Sequence, residues 1–105
     1  MELDEYQLVL LRRPPGAPEV SAEEAQRLQQ LHLRHLDELR AQGHIRVAGP
    51  VRDQPDETLR GLTVFRVGSL DRARELAEAD PAVVAGRLSV EVMTFYCPRG
   101  ELDAS

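Results

Sequence analysis

A chain of 105 residues with a formal charge of −5 is one domain in size, and its acidic balance disfavours nucleic acid, which needs a clustered basic surface. Hydrophobic residues at 42% and charged residues at 30% argue against disorder. All thirteen basic residues are arginine, which excludes Schiff-base chemistry, a lysine general base and a Walker-type phosphate loop.

Tyr6 to Leu11 is short and apolar, reads as a first strand, and runs into the Arg-Arg-Pro-Pro-Gly loop. Ser21-Ala-Glu-Glu24 then forms a capping box, in which hydroxyl and carboxylate satisfy reciprocal backbone N–H groups. The helix it opens runs to about Gln42, with Gly43 as the left-handed residue that ends it. Ile45 to Ala48 is a second strand stopped by Gly49-Pro50, and the polar stretch from Val51 to Thr58 is a loop. Leu62 to Val67 is a third strand. Ser69 caps a second helix over Leu70 to Ala79, which Asp80-Pro81 breaks. Leu88 to Phe95 is the fourth strand; residues 97–105 read as a polar tail after a domain core of about 5–96.

The order β-α-β-β-α-β predicts an α+β, ferredoxin-like fold: a four-stranded antiparallel sheet with two helices on one face. Alternation sets Leu8 and Leu10 against Val9 and Leu11, Leu62 and Val64 against Thr63 and Phe65, and Val90 and Val92 against Met93 and Phe95. Both sheet faces are therefore apolar, and two helices cover only one. A homodimer packed sheet against sheet, with room for higher assembly, is the expected solution.

On the first helix, Ala25, Leu28, Leu31, Leu36 and Leu39 share one arc, and His32 and His35 fall inside it. A titratable ring aimed at a core needs a partner or a purpose. The His-x-x-His spacing suits a facial metal site, but no third fixed ligand is visible, and no metal is expected. His44, after the helix-ending glycine, is expected near the negative end of the helix dipole. Tyr6 and Tyr96 are hydrogen-bond donors at strand ends, and Arg46 and Arg66 alternate with apolar residues on what reads as a solvated strand face. Cys97 cannot form an intrachain disulfide and has no histidine in its sequence context, so it reads as a thiol in a reducing compartment rather than a nucleophile. With no basic-then-apolar leader at Met1–Asp4 and no membrane-spanning run, a cytoplasmic location is expected.

His32 eleven positions before Gly43, the Ala48-Gly49-Pro50 strand end, Gly61, and the run Ala77-Glu-Ala-Asp80-Pro81-Ala-Val-Val-Ala-Gly86 together resemble the YCII-related (YciI-like) family of the dimeric α+β barrel superfamily. The resemblance spans roughly residues 5–96. It implies an active-site dyad of His32 and Asp80 and a small cyclic or aromatic ligand between helix and sheet, with lyase or isomerase chemistry by proton transfer. His35, Tyr6, Gly49, Pro50 and Pro81 are the candidate ligand contacts around that dyad. The chain departs from the family pattern in carrying His35 and the small Ala82, and the latter enlarges the expected pocket. Asp80 before Pro81 is also a good helix cap in its own right, so the competing reading is a non-catalytic ligand-binding or dimerisation module with a structural His-Asp pair. A haem-binding barrel is a third reading, and nothing in the sequence requires a cofactor.

Overall fold

In this computed structural model, which describes residues 1–103, the elements are β1 (Leu3–Arg12), α1 (Ala22–Ala41), β2 (Ile45–Pro50), β3 (Leu59–Phe65), α2 (Leu70–Glu78), α3 (Pro81–Val84) and β4 (Ser89–Pro98). The four strands form one antiparallel sheet in the order β2-β3-β1-β4, the ferredoxin-like arrangement. The two edge strands are β2 and β4, and Pro50, which has no N–H to give to a ladder, sits at the end of β2.

Both ends of α1 follow from local chemistry. Ser21 accepts the Glu24 N–H at 3.1 Å, and Gly43 takes φ +79°, a conformation that only glycine adopts without strain. The reciprocal arm of the expected capping box is replaced: the Glu24 carboxylate takes two bonds from Arg27, at 2.9 and 2.6 Å. One turn along the helix, an arginine competes better for that carboxylate than a backbone amide.

One sheet face forms the main core. Val9, Leu11, Ile45 and Phe65 meet Leu39 of α1 and Ala73 and Ala77 of α2. α2 packs on β1 and β4, whereas α1 packs on β2 and on α3. The small Ala73 and Ala77 let α2 lie close to its strands. On the opposite face, Tyr6, Val64 and Cys97 are buried, with Leu8, Leu62 and Leu102 beside them. The Arg66 guanidinium covers the Tyr6 ring at 5.2 Å, and burial pushes the phenol above its ordinary pKa.

Several boundaries differ from the sequence reading: β1 starts at Leu3 rather than Tyr6, and β2 runs through Gly49-Pro50 rather than stopping at Ala48. β3 starts at Leu59 and ends at Phe65 rather than running to Val67, because the Val67 N–H turns to the buried Gln7 side chain at 2.9 Å. β4 continues to Pro98, so Cys97 belongs to the sheet and not to a tail. Asp4 explains the extension: it pairs with Cys97 across the ladder, and its carboxylate accepts the Gly100 N–H at 2.9 Å, folding the chain back after the strand. Of the rest of the expected tail, residues 99–103 form turns after the strand, and residues 104–105 lie outside the described residues. The Asp80-Pro81 step breaks α2 and, as its capping chemistry leads one to expect, starts a new helix. This is the one-turn α3, with Asp80 as N-cap and Pro81 in the first turn.

Candidate active site

His32 enters the site from the middle of α1, and Asp80 from the start of α3, the two elements that pack directly on each other. The imidazole Nδ1–H donates to Asp80 Oδ2, and Asp80 Oδ1 accepts the Ala82 N–H at 2.9 Å. Both carboxylate oxygens are thus used, and the Asp80 side chain is only 3% exposed. A carboxylate held this way fixes the imidazole in the tautomer that leaves Nε2 as the basic nitrogen.

The ring borders a cavity of about 550 Å³ between α1 and the sheet, within the usual range for small-molecule sites. Its α1 wall includes Leu28, Leu33 and Leu36; its floor includes Leu11, Thr63 and Ala48; Ala82 closes one side. Thr63 and Leu11 lie on the helix-facing side of the sheet, as their register with Val9 and Gly61 requires. The cavity exists because α1 rests on β2 and α3, while β3 keeps small residues beneath it. At Gly61 a Cβ would stand 2.9 Å from the Gly49 carbonyl oxygen, so only glycine lets β2 and β3 approach as they do.

The structure brings together part of the residue set expected from the sequence. Gly49 and Pro50 line the cavity with His32, as does the small Ala82. His35 is not part of that lining. Its Nε2–H donates to the Leu76 carbonyl at 2.8 Å, tying α1 to α2. Pro81 forms the first turn of α3 behind the dyad and does not border the cavity. Tyr6 is on the other side of the sheet, fully buried with Val64 and Cys97, so it makes no contribution to this pocket. Tyr96 hydrogen-bonds weakly to Glu5 at 3.5 Å, and the Arg46 guanidinium donates to the Gly43 carbonyl at 3.1 Å. His44 uses its backbone in the turn, donating to Leu39 and accepting from Arg66. Burial raises the pKa of the Cys97 thiol, which keeps it in the unreactive protonated form. Among the described residues, no group of three or more His, Cys, Asp or Glu is placed to hold a metal ion, and no helix is long and apolar enough to cross a membrane.

Arg13, Arg60 and Arg87 also border the cavity, and the sequence reading did not single them out. They come from three separate segments, so no local motif announces them.

The four-stranded antiparallel sheet with its helix layer defines a ferredoxin-like α+β protein, with the His32–Asp80 pair beside its cavity. The YCII-related domain matches residues 8–96, and the chain belongs to that family. The fold is similar to that of 5-chloro-2-hydroxyhydroquinone dehydrochlorinase from Burkholderia phenoliruptrix, solved in complex with 2,5-dihydroxybenzoquinone. That similarity has a TM-score of 0.60 at 22% identity and covers 94% of this chain and 99% of the other. A dimeric ferredoxin-like protein of unknown function from Bacteroides fragilis matches at TM-score 0.49 and 20% identity, over 89% of this chain and 94% of that one. No curated protein sequence matches the chain.

Proposed function

We propose that the chain is an enzyme of the lyase or isomerase type, acting by proton transfer on a small cyclic or aromatic compound. The observation that carries this reading is the division of labour on His32: Nδ1 is bound to a buried carboxylate while the ring borders a cavity of about 550 Å³. In the proposed step, Nε2 takes a proton from a ring hydroxyl or from a carbon next to a carbonyl. The electron pair left behind forms a new double bond as a leaving group departs, or the proton is returned elsewhere on the ring. Asp80 holds the tautomer and stabilises the imidazolium that forms. No cofactor enters the step.

The 5-chloro-2-hydroxyhydroquinone on which the similar dehydrochlorinase acts is the natural first test compound. Chloride release would be followed without oxygen for wild type and for His32→Gln. Release by wild type and a loss of about a hundredfold or more in the variant support the reading. A wild type no faster than buffer removes the elimination form of it.

A structural role for the pair has its own support, because Asp80 Oδ1 caps α3 through Ala82. That bond uses one carboxylate oxygen and leaves the other for His32, so the cap alone does not account for a histidine at this position.

We also propose a cytoplasmic homodimer in which a second copy covers the sheet face opposite the helices. Val47, Met93 and Phe95 support it: they lie on that face with Leu8 and Val64 and are exposed in the isolated chain.

A further inference from the structure

Three cationic side chains converge on one end of the cavity. Arg13 follows β1, Arg60 lies near the start of β3, and Arg87 precedes β4. The antiparallel ladders align these places, since Arg12 faces both Leu59 and Ser89. The convergence is a product of topology.

The chain has 18 acidic residues against 13 arginines, so carboxylates are in supply. Arg12, Arg27, Arg66 and Arg72 all have carboxylate partners. Among the described residues, Arg13, Arg60 and Arg87 have none; Arg34, Arg46 and Arg52 are also without one, but only the first three border the cavity. Arg13 Nε donates to the Arg87 carbonyl at 3.4 Å, and Arg87 Nη1 donates to the Pro18 carbonyl at 2.9 Å, so both are anchored by neutral groups that leave the charge uncompensated. Burial first, and then the Arg87 and Arg60 charges, pull the Arg13 guanidinium below its ordinary pKa. Arg40 also borders the cavity but is paired with Asp37 at 2.9 Å. Gathering like charges beside an apolar cavity costs stability unless an anion completes the site.

We infer that the ligand of the His32 pocket is an anionic ring compound, whose oxyanion, such as a carboxylate, is received by Arg13, Arg60 and Arg87. The inference rests on the reading of that cavity as a ligand site and adds the charge of what fills it. The ring then lies against Leu28 and Leu36, its anionic group toward the arginines and its reacting edge toward His32 Nε2.

The test compares salicylate with salicylamide, a matched pair differing in the charge of one substituent, by calorimetry at low salt. Tighter binding of salicylate by about tenfold or more is expected, with the preference reduced in Arg60→Gln and removed in Arg60→Gln/Arg87→Gln. Arg60 is exposed, so its substitution leaves the fold intact, and thermal unfolding checks both variants. Equal binding of the two compounds overturns the inference while leaving the pocket as a ligand site. A salicylate preference unchanged in both variants overturns it too, since the charge would then be read elsewhere. Binding of neither compound counts against both the inference and the ligand-site reading.

Discussion

His32 Nδ1 and the Ala82 N–H share the carboxylate of Asp80, one on each oxygen. The same aspartate therefore starts α3 and orients a histidine from α1. This arrangement makes the position of the imidazole as rigid as the helix pair that carries it, which is what a general base requires if it is to meet a proton at hydrogen-bond distance.

Gly61 sets the floor of the pocket, and its substitution should be felt in stability. A Cβ there meets the Gly49 oxygen at 2.9 Å, and that atom belongs to the backbone of a paired strand, so the strands must separate. Gly61→Ala is expected to cost about 1–3 kcal/mol in denaturant unfolding. Gly49→Ala is the control: a Cβ at that site meets nothing within 4 Å, and the cost should be smaller. Equal effects would show that close strand approach is not the reason for Gly61.

Asp4 should make the fold acid-sensitive. The bond from the Gly100 N–H, helped by Arg66 and Arg99, holds its carboxyl below the ordinary value of 3.8. A group depressed in the folded state adds stability that is present above the unfolded-state value and lost as pH falls through the folded one. Unfolding followed downward from pH 5, just above the usual carboxylate range, should thus show a steeper loss in wild type than in Asp4→Asn. Parallel curves would mean that the Asp4–Gly100 bond does not hold the end of β4.

The apolar outer face should govern association. Phe95 is 37% exposed and Met93 36% in the isolated chain. Phe95→Glu would place a charge at the centre of a sheet-to-sheet contact, and light scattering should show dimers for wild type and monomers for the variant. A wild type that stays monomeric at high concentration would remove the dimer from the proposal.

Much of the fold was legible because its signals are local. Ser21 and Gly43 bound α1, Ser69 opens α2, and Asp80-Pro81 opens α3, each through a bond within a few residues. The exit of β3 was not legible, since the partner that releases Val67 is Gln7, sixty positions earlier. Tyr6 was misplaced despite an available signal: the alternation that sets Leu8 and Leu10 on one face puts Tyr6 there as well. The three pocket arginines had no such signal, because only the register of β1 with β3 and β4 brings them together.

The most direct measurement on the dyad is the unfolding free energy of wild type, His32→Leu, Asp80→Asn and the double variant, at one protomer concentration. His32→Leu alone leaves a buried carboxylate without its partner and should lose about 3 kcal/mol. Asp80→Asn keeps a capping oxygen for Ala82, so the double variant removes the charge and the imidazole together while α3 stays capped. If His32 is kept for chemistry, the double variant should match wild type within about 1 kcal/mol or exceed it. A double variant that remains about 2 kcal/mol or more below wild type would mean that the pair holds the fold together, and the catalytic reading would lose its support.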